Sequence, residues 1–211
     1  MKLGVQITTN MQEQLLHYKE HGWVHIENVI PHELMSIVHQ SSVRLKQIAL
    51  ENEFTPAPYG TRIHWKGLGC ASKYDNKLWE CYKSDINREI ATTLLETEKI
   101  YLYNDQIVLK LPKEEFEFEE HYDNQYGTNK DNRIHSINLS WILDDFTYEN
   151  GTLNMNGEII YPRKGDIIAI RGDTLHSSKP NMSENSRLLY ACVFTADKPV
   201  INENFYRELW T

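Results

Sequence analysis

IHSINLSWILDDFTYENGTLNMNGEIIYPRKGDIIAIR, residues 134–171, reads as four short strands in succession. Ile134–Leu143, Thr152–Met155, Glu158–Tyr161 and Asp166–Arg171 carry most of the apolar residues, and turn signals stand between them: Asn150-Gly151 and Lys164-Gly165-Asp166. No helical pattern separates these strands. Short strands that follow one another without helices pair as antiparallel neighbours, in a sandwich or barrel, and do not form a βαβ sheet. Outward from this stretch the same texture continues: Ile100–Tyr103 and Gln106–Leu111 precede it and Arg187–Thr195 follows it.

The first hundred residues differ. Residues 11–50 read as helix, strand, helix. Gln12–Glu20 ends at His21-Gly22, a helix-terminating glycine, and Trp23-Val24-His25-Ile26 alternates as a strand. Pro31 then opens a helix whose Leu34, Ile37, Val38 and Leu45 share one face. Residues 52–80, punctuated by Pro56, Pro58, Gly60, Gly67 and Gly69, read as a long loop or a set of short pieces, and residues 77–97 read as helical. The expectation is one domain over 1–211 that is mainly β with flanking N-terminal helices. Residues 1–99 would supply helical support and a substrate loop, and residues 100–211 the β core.

Composition sets limits on the partners. The 211 residues carry 22 Lys and Arg against 30 Asp and Glu, a formal charge of −8. That sign repels phosphate backbones, so nucleic acid is not the expected partner. No stretch approaches the roughly 20 apolar residues that cross a bilayer, and the N-terminus has no apolar signal-peptide core. Three widely spaced cysteines (Cys70, Cys81, Cys192) form neither a disulfide framework nor a zinc site, and a reducing cytoplasm is the simplest compartment.

The residues that bear chemistry are His121-Tyr122-Asp123, His176 and Arg187. On a strand, residues i and i+2 point the same way, so the imidazole of His121 and the carboxylate of Asp123 can face one point. His176 follows the strand Asp166–Arg171, and a sandwich can return it to that point. Two histidines and a carboxylate on one face form the triad that holds Fe(II) and leaves coordination positions open. Arg187, eleven residues after His176, begins the last strand. Its planar fork suits a carboxylate, and Ser178 can donate a hydroxyl to the same group.

These motifs resemble the phytanoyl-CoA dioxygenase branch of the Fe(II)/2-oxoglutarate-dependent oxygenases. The resemblance rests on HYD at 121–123, HSSKPNMS at 176–183 and Arg187. LLHYKEHGWVHIENVIPHELM near the N-terminus, QIVLKLP at 106–112, WILDDFTYENGTL and RKGDIIAIRGDTLH also match it. It implies a double-stranded β-helix, the cupin-like jelly roll. It also implies iron held by His121, Asp123 and His176, and 2-oxoglutarate and O2 as co-substrates. Arg187 and Ser178 would bind the distal carboxylate, with Gln106, Lys110 and Trp141 lining the co-substrate site. Tyr59, Arg62, His64, Trp65 and Tyr122 would face substrate. The implied activity is hydroxylation of an unactivated C–H in a small polar molecule such as an amino acid, with succinate and CO2 as co-products; desaturation or cyclisation would use the same centre. The chain lacks the longer insert this branch often carries after its asparagine-glycine turn, and it is compact like the prolyl-hydroxylase branch. Alternative readings are therefore a protein or peptide hydroxylase, a nucleic-acid oxygenase, which the acidic charge opposes, or a non-catalytic cupin-like binding protein. Asp123 sets the chain apart from halogenases, which carry a small residue there.

Overall fold

In the computed structural model, which describes residues 9–51, 66–69, 71–123 and 135–197, the strand-rich part of the chain folds into two facing antiparallel sheets. The element order is α1 (Thr9–His21), β1 (Trp23–Ile26), α2 (His32–Glu51), β2 (Lys66–Gly69), a 3₁₀ turn (Ala71–Lys73), α3 (Asn76–Tyr82) and α4 (Asp85–Leu95). Then come β3 (Tyr101–Lys110), β4 (Phe118–His121), β5 (Ser136–Ile142), β6 (Leu153–Met155), β7 (Glu158–Ile160), β8 (Ile167–Arg171), β9 (His176–Ser178) and β10 (Arg187–Thr195). The larger sheet runs β1-β8-β5-β10-β3-β2 and the smaller runs β4-β9-β6-β7. This is the jelly roll expected from the sequence.

Each face of the larger sheet has its own core. Ile137, Leu139 and Trp141 on β5, Ile107 and Leu109 on β3, and Leu188, Tyr190, Cys192 and Phe194 on β10 pack against Val38 and Leu45 of α2, Leu78 and Tyr82 of α3, and Ile90 of α4. The alternate residues, Val108, Ile142, Ile168, Ile170, Leu189 and Ala191, face Leu153, Met155 and Ile160 of the smaller sheet. A sheet covered on both faces needs strands that are apolar in both registers, which is why IIAI in β8 and LLYACVF in β10 are continuous apolar runs. The polar exceptions on the inner face (Asn138, Ser140, Lys110 and Arg187, all buried) stand out against this background.

Several elements depart from expectation for local reasons. Residues 101–110 are a single ten-residue strand, although Asn104-Asp105 reads as a break. Asp105 is buried within the strand and accepts hydrogen bonds from the Ser72 amide (2.8 Å), the Ser72 hydroxyl (2.9 Å) and the Tyr190 hydroxyl (2.7 Å). The helical reading of 77–97 resolves into α3 and α4. The Asn87 side chain turns back to donate to the carbonyls of Cys81 (3.3 Å) and Tyr82 (3.1 Å), closing the end of the first helix. β2, β4 and β9 carry too little apolar alternation (KGLG, FEEH, HSS) to be read as strands. Gly22 behaves as read: at φ +80° it follows α1, and its amide returns to the Tyr18 carbonyl at 2.8 Å.

Candidate metal centre and anion pocket

β4 and β9 pair with His121 directly opposite His176, so two imidazoles project side by side from the inner face of the smaller sheet. Between the pairs Phe118–Ser178 and His121–His176 the register shifts, with three steps along β4 matching two along β9. This bulge sets the aim of His121. The ring centroids are 4.2 Å apart. Asp123, just past β4, brings Oδ1 to 3.8 Å from His121 Nε2 and 3.6 Å from His176 Nε2. One ligand atom from each of the three residues lies within 4.8 Å of the others.

The protonation pattern follows from the backbone. His121 Nδ1 lies 2.7 Å from the Glu119 carbonyl and His176 Nδ1 lies 2.9 Å from the Thr174 carbonyl. A carbonyl only accepts, so each Nδ1 carries the hydrogen and each Nε2 presents a lone pair to the shared point. Burial pushes the His121 pKa down, His176 pushes it down further, and Asp123 and the Glu119 carbonyl pull partly back. The net effect favours the neutral imidazole, the form that ligates a metal. Two neutral nitrogens and one carboxylate oxygen, open on one side, suit a divalent first-row metal such as Fe(II).

A second cluster lies on the facing sheet. Arg187 and Lys110 are cross-strand partners on β10 and β3, and both are fully buried. Arg187 Nη1 donates to the Gly151 carbonyl and to Ser178 Oγ (3.4 Å), and the guanidinium lies 3.9 Å from the centre of the Phe146 ring. Its Nε is buried with no hydrogen-bond partner, and the Asp144 carboxylate acts on the guanidinium through its charge. Lys110 Nζ donates to the carbonyls of Ser178 (2.8 Å) and Lys179 and lies over the Phe118 ring. Two buried basic groups held by neutral acceptors form a pocket suited to an anion.

Gly151 is where the chain must bend to build this pocket. It sits at φ +91°, and a Cβ there would run into the Lys179 carbonyl oxygen. Gly151→Ala therefore combines left-handed backbone strain of about 1–2 kcal/mol with displacement of the carbonyl that Lys110 holds. The expected outcome, read by thermal unfolding, is a midpoint lowered by roughly 4–8 °C for a loss of about 2 kcal/mol in a chain of this size.

The structure separates the remaining sequence candidates. Gln106 shares the inner face of β3 with Lys110 and is half-buried opposite Ala191. Tyr122 is 41% exposed at the rim. Trp141 is misplaced by the resemblance. It points to the helical side of the larger sheet, where its indole donates to Asn87 Oδ1 at 2.8 Å and stacks edge-on with Tyr190, away from the interior that holds His121, His176 and Arg187. Strand parity carries this information, because Trp141 is out of phase with Asn138 and Ser140. Tyr59, Arg62, His64 and Trp65 lie outside the described residues. Asn138 escaped the sequence reading. From β5 its Nδ2 donates to Asp123 Oδ2 at 3.2 Å. A polar groove of about 880 Å³ between α2 and α3 lies on the helical layer, and its Arg44 is already paired with Asp75.

No protein-family model and no curated protein matches this sequence. Solved structures do match in shape. EctD from S. alaskensis, crystallised with 2-oxoglutarate and 5-hydroxyectoine, aligns with a TM-score of 0.77 at 15% identity over 97% of this chain and 83% of its own. The non-heme alpha ketoglutarate dependent carbocyclase SnoK from nogalamycin biosynthesis aligns with a TM-score of 0.75 at 17% identity over 87% and 83%. The epimerase SnoN, in complex with Fe3+, alpha ketoglutarate and nogalamycin RO, aligns with a TM-score of 0.72 at 16% identity over 93% of each chain. The chain has the fold of these non-heme enzymes.

Proposed function

We propose that this chain is an Fe(II)- and 2-oxoglutarate-dependent oxygenase that hydroxylates an unactivated C–H bond of a small polar molecule. The observation that carries the reading is the pairing of an open N,N,O triad with two buried basic side chains, Arg187 and Lys110, which donate to neutral acceptors, across the same interior. A metal-binding role needs only the triad, and a plain cupin-like binder has no use for the second cluster. Together they suit a metal and a chelating keto diacid. SnoK is alpha ketoglutarate dependent, SnoN binds Fe3+ and alpha ketoglutarate and EctD was crystallised with 2-oxoglutarate, all on this fold, which supports the same cofactor pair here. The net charge of −8 opposes nucleic acid as a partner. No helix among the described residues is long and apolar enough to cross a membrane.

When bound, ferrous iron with 2-oxoglutarate and O2 supplies the oxidising power, with succinate and CO2 as co-products. The chain supplies the rest. His121, His176 and Asp123 hold the metal on one side only. Arg187, Ser178 and the third N–H of Lys110 neutralise and orient the distal carboxylate, with Gln106 beside them. Leu153, Met155, Ile168, Leu189 and the Phe146 ring keep water out of the space between the sheets. Tyr122 and the segment containing Tyr59, Arg62, His64 and Trp65 would face the substrate. The test is succinate formation from 2-oxoglutarate with Fe(II) and O2. Iron-dependent turnover is expected even without the true substrate, at a low uncoupled rate. No metal site on titration and no succinate would overturn the proposal.

The pocket also fixes a pH dependence. Burial pushes the Lys110 pKa down to about 7, and the neighbouring Arg187 charge pushes the same way; Glu117 and Glu114 oppose them. Lys110 is a cation below this pH and neutral above it. Anion binding needs the cation, so the dissociation constant for 2-oxoglutarate rises above pH 7, up to tenfold per pH unit. Calorimetric titration between pH 6 and 9 should show this slope, and Lys110→Met should flatten it. The stability contribution has the opposite trend. Between about pH 7 and 10.5 the unfolded chain holds a proton that the folded chain lacks, so in the ligand-free protein this group makes stability rise with pH.

A further inference from the structure

We infer that Asn138, braced by Ser140, is a positioning residue that restricts Asp123 to a single ligating oxygen. The inference rests on the metal-centre reading and concerns how that centre is kept open. Asn138 and Ser140 lie on the inner face of β5 and are both buried. Ser140 Oγ donates to Asn138 Oδ1 at 3.1 Å. The acceptor-only carboxylate of Asp123 sets the amide with Nδ2 towards it, and the Ser140 hydroxyl then braces Oδ1 on the other side. Nδ2 then donates to Asp123 Oδ2 at 3.2 Å. Oδ1, the other oxygen, is the one 3.6 and 3.8 Å from the histidine Nε2 atoms. The two carboxylate oxygens thus have different tasks, one held by the larger sheet and one facing the metal point.

The distinction matters because a carboxylate can chelate through both oxygens. Chelation would occupy a coordination position that a bidentate co-substrate and a further small ligand need, as six positions less three protein ligands leave three. A neutral donor on Oδ2 opposes chelation without removing the negative charge, which a lysine in that place would partly cancel. It also fixes the rotation of the Asp123 side chain, which lies past the end of β4 and lacks strand pairing of its own. Partners of this kind are worth about 10–100-fold in metal affinity.

The probe is Co(II), bound to the whole chain without co-substrate and followed by calorimetry and by its visible absorption, which reports coordination geometry. Wild type should bind one ion. Asn138→Leu, close in shape and lacking the donor, should bind Co(II) about 10–100-fold more weakly with an altered spectrum, while its metal-free unfolding midpoint stays within a few degrees of wild type. Ser140→Ala keeps the amide but removes the hydrogen bond that braces its Oδ1. It should lose affinity by a smaller factor with the same spectral change, which a packing defect would not produce, and it stands in if Asn138→Leu fails to fold. Wild-type affinity and spectrum in either folded variant would overturn the inference alone. Failure of wild type to bind Co(II) would overturn the metal-centre reading and this inference with it.

Discussion

His176→Ala abolishes Fe(II)-dependent turnover of 2-oxoglutarate and leaves a folded protein: this is the expected result with the largest effect. His176 is in the middle of the arrangement, with β4 on one side and β6 on the other, and its side chain is 9% exposed. Without it one nitrogen and one oxygen remain, and two donors do not hold a ferrous ion against water. The expected loss is at least about a thousandfold, roughly 4 kcal/mol of barrier. The fold is insulated from that loss. Among the described residues the imidazole donates to the Thr174 carbonyl, packs on the His121 ring and lies 3.6 Å from Asp123 Oδ1. Losing a hydrogen bond of that kind costs about 1 kcal/mol, a few degrees in midpoint. Succinate measurement, metal titration and thermal unfolding on the same preparation check all three statements. A variant that kept wild-type iron-dependent turnover would remove His176 from the centre.

Arg187→Leu should produce a protein that no longer responds to 2-oxoglutarate but melts at about the wild-type temperature without it. The guanidinium is a buried charge with neutral acceptors, an aromatic face and an unpartnered Nε. Burial lowers its pKa, and Asp144 pulls the other way. An apolar replacement removes the desolvation cost of the charge, a gain of roughly 1–4 kcal/mol. The Gly151 carbonyl left without its donor costs about 1–3 kcal/mol. These nearly cancel, so the ligand-free midpoint should hardly move. The wild-type chain behaves differently with ligand present. At a concentration about 100 times the dissociation constant, binding adds about 2.7 kcal/mol, or some 5–10 °C. That shift should vanish in Arg187→Leu. A retained shift would mean that the diacid is gripped elsewhere.

Much of the architecture was legible because it depends on patterns of burial. Runs such as IIAIR and RLLYACVFT admit no reading but strands covered on both faces, and Asn150-Gly151 marks a real bend in the chain. The triad was legible through residue type and parity at His121 and Asp123. The pieces that were not legible are set by long-range pairing. β9 is only HSS, and its strand character comes from lying between β4 and β6. Asp105 sits where propensity predicts a turn, and three donors from distant segments keep it in a strand. Asn138 looks like a solvent-facing residue until strand parity is applied to the whole of SINLSWI, and the same test would have moved Trp141 to the helical side. In each case the deciding partner is 15 or more residues away in the chain.

The bulge in β4 has one further implication. Because the two imidazoles face each other only through the offset between Phe118 and His121, the number of residues in that segment matters more than their identity. Glutamates 119 and 120 are exposed and replaceable in kind, but deleting either would flatten the bulge to two steps against two, leaving His121 opposite His176 without the extra local twist that aims its ring. Sequence drift along this acidic arm is thus tolerated, and length drift is not.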